Sequence, residues 1–179
     1  IDSLIKDYPT GTMLTWETTN PPEVKGEYVK EVDFSSKGPV KLILDGQQRI
    51  TTLYLLMKGE IPPYYNEKEI LHDVKGLYVN VETLSLEYYK KTTMENDPLW
   101  VNITGIFQGS VDIFNIIEQL EDKEKNIDIG KDRQKLIFKN VTLIDKIQDR
   151  NFSEQEIPAK ANIKEAIDIF YIVNASGVN

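Results

Sequence analysis

Between Val40 and Arg49 the chain changes its periodicity within a few residues, and this change constrains the fold more than any other stretch. Four of the five residues from Val40 to Leu44 are apolar, a short run whose length favours a buried strand over a helix. Asp45-Gly46 follows, a turn dipeptide whose glycine admits a left-handed backbone. From Gln47 or Gln48 the spacing is helical. Ile50, Leu53, Tyr54 and Met57 fall on one face, Gly59 offers a C-terminal stop and Pro62-Pro63 bars continuation.

The flanking sequence reads as short mixed elements. Leu4, Ile5 and Tyr8 predict one or two helical turns, ended before Pro9 and Gly11 because the residue before proline resists the α region. Met13, Leu14 and Trp16 form a short apolar patch, and Thr18 to Gly26, with its double proline, reads as a surface loop. Glu27 to Phe34 reads as a partly exposed strand, Ser35 to Pro39 as a turn and Gly76 to Val81 as another strand. Tyr88-Tyr89-Lys90-Lys91 has weak helical character. Ser110 is placed to cap a helix running to about Leu120, with Ile113, Phe114, Ile117 and Leu120 inward. The charged stretch from Glu121 to Lys125 is its exposed end and loop. A longer helix from Lys131 to Ile147 would bury Leu136, Ile137, Ile144 and Ile147. Phe152 to Ile157 returns as a strand. Asn162 and Glu165 then form a capping box ahead of Ile163, Ala166, Ile167 and Phe170 on one stripe. Strands interspersed with helices, without a regular βαβ rhythm, predict an α+β fold rather than a doubly wound sheet.

With 179 residues, the chain is long enough for one domain, or one domain with a more helical part at about 110–150. The 21 Lys+Arg against 29 Asp+Glu leave a formal charge of -8, which argues against a surface that attracts nucleic acid everywhere. There are no cysteines, which removes a disulfide framework, a thiol nucleophile and a thiolate metal site. No apolar run approaches the roughly 18 residues of a membrane span, and the start carries no signal-peptide pattern, so a cytoplasmic location is expected. Both ends read as cut from a longer protein.

Chemistry concentrates at Asp45 to Arg49. A strand delivers Asp45 to its end, and a helix opens at once, so free first-turn amides favour an anion there. Arg49 supplies a fork suited to a phosphate or carboxylate. Gln47 and Gln48 supply amides that orient a ligand or a water, and Asp45 is placed to hold Mg²⁺, position a water, or brace Arg49. The structural alternative stands beside this: Asp-Gly is a common turn, and an Asp–Arg pair at a helix start is often an internal brace. Thr51 and Thr52 lie too far into the helix for ligand roles, and one of them is expected to face solvent or bond locally.

The run Leu42-Ile43-Leu44-Asp45-Gly46-Gln47-Gln48-Arg49-Ile50-Thr51-Thr52-Leu53 resembles the signature of the N-terminal domain of GmrSD-type restriction proteins, within the wider ParB/sulfiredoxin-like fold group. Two further segments resemble the family: Ile1 through Trp16, and Ala166 through Gly177, a helix running into an Asn-x-x-Gly turn. The resemblance implies a ParB/sulfiredoxin-like domain of a larger restriction or phage-defence protein. It also implies that such a protein couples binding or hydrolysis of a nucleoside triphosphate with Mg²⁺ to DNA cleavage by a nuclease domain in the same or a partner chain. It further implies Asp45 and Arg49 as catalytic residues and Gly46, Gln47 and Gln48 as nucleotide-site residues, with Asn174 and Gly177 lining the same cleft. Where the second signature usually carries an arginine, this chain has Ile172. That departure and the acidic surface support the alternative, a non-catalytic interaction or DNA-binding module retaining the fold.

Other chemistry-bearing residues favour structural readings. His72 is the only histidine, so a zinc site would need carboxylates to complete it. Trp16 and Trp100 read as core or rim. Tyr64-Tyr65, Tyr88-Tyr89 and Lys90-Lys91 are placed for stacking and phosphate contact but lack a nucleic-acid fold signature. Direct DNA binding would require Lys90, Lys91 and Lys131 on one face. The glycines form neither a dinucleotide nor a P-loop fingerprint.

Overall fold

The strand and the helix on either side of Asp45-Gly46 form as the patterning dictates: β2 spans Val40–Asp45 and α2 spans Gln47–Lys58. The computed structural model describes residues 1–22, 38–63, 76–124 and 129–176. The chain divides into two compact units. One gathers Ile1–Pro9, Thr52–Glu60 and His72–Arg150; the other gathers Thr10–Thr51, Ile61–Leu71 and Asn151–Asn179. Each combines a small sheet with helices, and the fold is α+β.

In the second unit, β1 (Met13–Thr18) lies centrally between β2 and β6 (Glu154–Ile157), antiparallel to the former and parallel to the latter. Leu14, Thr15 and Trp16 are all buried. A central strand covered on both sides shows no clean alternation, which is why the sequence yields only an apolar patch there. The helix α7 (Ile163–Ser176) packs Ala166, Ile169, Phe170 and Val173 against Leu14, Trp16 and Ile157. The inward stripe therefore follows Ala166 at the i+3, i+4, i+7 spacing, whereas Ile163 and Ile167, expected on it, are exposed. The capping box forms as expected: the Asn162 N–H donates to Glu165 Oε2 (2.8 Å) and the Glu165 N–H to Asn162 Oδ1 (3.1 Å).

The sheet also carries a polar cluster. Thr15 Oγ1 donates to Glu154 Oε1 (2.6 Å), and Lys41 Nζ donates to Glu154 (3.0 Å) and Glu156 (3.0 Å). The Thr15 hydroxyl first, then Lys41, holds the Glu154 carboxyl below its ordinary value of 4.5, while both glutamates hold the Lys41 ammonium above 10.5. The carboxylate's contribution to folding is thus present above its unfolded value and lost as pH falls through the lower folded one. Carbon-13 NMR titration should find the Glu154 midpoint below 4.5. Thr15→Val and Lys41→Met should each raise it, and a midpoint unmoved by both would contradict the contacts.

The first unit is built on the antiparallel sheet β4-β3-β5, with β3 (Leu77–Asn80) central, β4 Leu86–Tyr88 and β5 Trp100–Asn102. Helices α4 (Ile103–Phe107), α5 (Ile113–Lys123) and α6 (Lys131–Asp145) complete it, with a 3₁₀ turn at Lys146–Asp149 and the short helices α1 (Asp2–Ile5) and α3 (Lys91–Met94). Val79, Val81, Ile103, Ile137, Ile144 and Ile147 are essentially inaccessible.

Asp112, not Ser110, caps α5, accepting from the Phe114 and Asn115 N–H groups, while Ser110 Oγ donates to the Gly105 carbonyl. The inward residues of α5 are Ile116, Ile117 and Leu120; Phe114 is 74% exposed and meets Phe138 edge-on at 5.4 Å. In α6 the stripe is Ile137, Asn140, Val141 and Ile144, which turns Leu136 outward. Apolarity alone hides this stripe because it includes a polar residue. Asn140 Nδ2 donates to the Val81 (2.9 Å) and Glu82 (3.1 Å) carbonyls just past β3. Tyr88 belongs to β4, and helix begins only at Lys91. The strand expected at Glu27 to Phe34 lies outside the described residues.

Candidate functional site

Strand β2 reaches Asp45 through a register shift. Thr15 pairs with Ile43 and Leu14 with Asp45, so Leu44 is an extra residue on β2. Such a bulge bends the strand and re-aims its end. Gly46 then adopts φ +94°, a conformation open to glycine. Helix α2 opens at Gln47, and its first i→i−4 bond runs from the Ile50 N–H to the Gly46 carbonyl (3.1 Å). The amides of Gln47, Gln48 and Arg49 precede that bond and form the electropositive end of a 12-residue helix.

Leu44, Asp45, Gly46, Gln47, Gln48 and Arg49 line a cavity of about 310 Å³. Asp45 and Arg49 keep 45% and 30% of their side chains exposed, so the pair is not sealed in the interior. Gln47 and Gln48 are exposed, and Gln47 Nε2 donates to the Ile43 carbonyl (2.6 Å).

Arg49 is held more firmly than the sequence foretells. Its Nη1 donates to the Thr10 carbonyl (2.5 Å), and its Nη2 to the Thr12 carbonyl (3.0 Å) and Asp45 Oδ2 (2.9 Å). Two glycines make room for the guanidinium. A Cβ on Gly11, at φ +78°, would lie 3.0 Å from Arg49 Nη1; one on Gly46 would lie 3.2 Å from Nη2 and 3.0 Å from Met13 Cγ. Thr10, Gly11 and Thr12 are therefore part of the site. The sequence marks Gly11 as a helix stop and as part of the family-like Ile1–Trp16 segment, but gives no sign that it makes room for Arg49.

The remaining residues divide clearly. Asn174 lies in the last turn of α7 and donates to the Phe170 carbonyl (2.9 Å); it is not among the residues lining this cavity. Gly177 and His72 lie outside the described residues, as do Tyr64 and Tyr65. Thr51 and Thr52 are half-buried rather than solvent-facing, and Thr51 Oγ1 is buried without a hydrogen-bond partner among the described residues. Lys90 and Lys91 pair with Glu87 (2.5 Å) and Glu95 (3.5 Å), which offsets their charge. Trp16 is core and Trp100 half-buried. Among the described residues, no three His, Asp or Glu side chains gather as a metal cage. A divalent cation at Asp45 would need its other ligands from phosphate oxygens and water, the usual habit of Mg²⁺. No described helix is long and apolar enough to cross a membrane.

Comparison with known proteins agrees with the motif. No curated protein matches the chain. The family model described as the GmrSD restriction endonuclease, N-terminal domain, matches residues 1–179. Because that match covers the whole chain, including the Asp45–Arg49 turn, the protein belongs to the GmrSD restriction endonuclease N-terminal domain family.

Proposed function

We propose that the chain is a ParB/sulfiredoxin-like domain that recognises a nucleoside triphosphate with Mg²⁺ on behalf of a restriction or phage-defence protein. The nuclease acting on DNA would reside elsewhere in the same chain or in a partner. The observation that carries this reading is the cavity formed wholly by the Leu44–Arg49 turn at the start of α2. There the first-turn amides and the Gln47 and Gln48 side chains receive phosphate oxygens. Asp45 is the carboxylate that would hold Mg²⁺, which would neutralise phosphate charge. Arg49 contributes a fixed positive charge from within its cradle, a preorganised field rather than a mobile finger. Asn174 and Gly177 are proposed to approach the same ligand.

Gln48→Glu separates binding from folding. A carboxylate in the first turn of a helix is neutral or mildly stabilising, but it repels phosphate. Calorimetry with ATP and GTP in Mg²⁺ should show binding by the native chain and at least about tenfold weaker binding by the variant, an electrostatic loss of roughly 1.4 kcal/mol. Native stability with unchanged nucleotide affinity would remove the turn as the phosphate site.

The commitment of Arg49 to three acceptors favours a second reading, a non-catalytic interaction module in which the Asp45–Arg49 pair is a brace. Absence of nucleotide binding by the native chain, with partner binding retained, would select it.

A further inference from the structure

A second cavity, of about 650 Å³, lies entirely within the first unit. Tyr78 and Trp100 supply aromatic surface, and Met94, Val101 and Ile116 supply apolar surface, all three buried. Four carboxylates stand around this lining: Glu95 and Asp97 after α3, Asp112 at the cap of α5 and Asp122 near its end. Lys123 is the one cation among the lining residues. Its ammonium lies 3.6 Å from Asp97 Oδ1, beyond hydrogen-bond range, and its side chain is 52% exposed.

We propose that this cavity binds an organic cation, an ammonium or guanidinium group carried on an apolar stem. Its chemistry is selective in sign: the lining carries four carboxylates, of which Glu95 is paired with Lys91 at 3.5 Å, against the single ammonium of Lys123, so a phosphate is repelled. Aromatic faces attract a cation through their quadrupole, and an apolar lining accepts the stem. Lys123 already occupies part of the site as a loosely held resident cation on Asp97. An incoming cation takes its place beside Asp97, and Lys123 swings into solvent. The acids have other duties that fix their positions: Asp97 Oδ1 accepts from the Leu99 N–H (3.3 Å), and Asp112 Oδ1 caps α5. This site does not depend on the reading of the Asp45 turn.

The test is NMR titration of the full chain with two probes, spermidine and an uncharged-ended tripeptide with a central arginine, against glucose as a neutral control. Cation binding should shift the Trp100 indole and the Asn115 and Gln119 side-chain amides. Asp122→Asn should weaken binding roughly three- to tenfold. Lys123→Met should strengthen it, because the competing resident charge is gone. Shifts with spermidine alone assign a free polyamine, and shifts with the peptide alone assign a basic side chain of a partner protein. No shift with either probe at millimolar concentration, equal binding of glucose, or unchanged or weaker binding by Lys123→Met would overturn the proposal.

Discussion

Trp16→Ala should lower stability to urea by roughly 3–5 kcal/mol, the range for emptying a buried tryptophan site. Trp16 is 3% exposed and packs with Leu14, Ile157 and Ala166, so its removal takes the centre out of the cluster that joins β1, β6 and α7. Surrounding aliphatic side chains are held by strands and cannot close the void fully. Trp16→Phe separates volume from polarity. The Trp16 Nε1 atom is buried and has no hydrogen-bond partner among the described residues. Phenylalanine loses part of the volume but also removes an unpaired donor, so its cost should be less than half that of alanine. Equal costs for the two variants would contradict this account.

The second large effect belongs to Arg49. Arg49→Ala should destabilise by roughly 1–3 kcal/mol, chiefly because it leaves the part-buried Thr10 carbonyl without its donor, while water can reach the Thr12 carbonyl and the Asp45 carboxylate. The ion pair itself contributes little of this, because Asp45 is 45% exposed and solvent screens it. The part-buried bond to the Thr10 carbonyl dominates. Arg49→Lys should therefore recover less than half of the loss, as one ammonium cannot span the acceptors that a planar fork spans. Asp45→Asn should cost about 1 kcal/mol or less, an amide oxygen remaining to accept. Urea midpoints for the three variants rank the contributions, and Arg49→Ala within about 0.5 kcal/mol of the native chain would refute the brace. This also explains why Gln48, rather than Arg49, is the position at which to test ligand binding: loss of Arg49 disturbs the turn itself.

How much of this was legible follows from what patterning encodes. The Val40–Asp45 strand, the Asp-Gly turn, α2 and the capping box at Asn162 were readable, because each carries a local signal in a few neighbouring residues. The family was readable from the Leu42–Leu53 run and the two segments resembling it. Element faces were less legible. Phe114, Leu136, Ile163 and Ile167 are apolar yet exposed, while Asn140 is polar and buried, so hydrophobicity rotated each stripe by about one position. Burial in α2 surrounds the helix: Leu55 and Leu56 are buried, and among its residues only Gln47, Gln48 and Lys58 are exposed. A single predicted face therefore described it poorly. Two of Arg49's three partners lie 37 and 39 residues earlier in the chain and are backbone carbonyls, which no side-chain pattern announces.

The parallel pairing of β1 with β6 also sets how late during synthesis this sheet can be completed. Thr15 and Glu154 are separated by 139 positions, and a ribosome needs on the order of ten seconds to traverse them. Through that interval β1 and β2 can meet only as a two-stranded ribbon, which is marginal in water, with the β6 side of β1 open to foreign strands. The sheet β4-β3-β5 and helices α3 to α6 of the other unit lie within its longest segment, His72–Arg150, and can begin to assemble before β6 is made. Closure of the sheet that carries the Asp45 turn thus waits until Ile157 has emerged, more than a hundred residues after the turn itself.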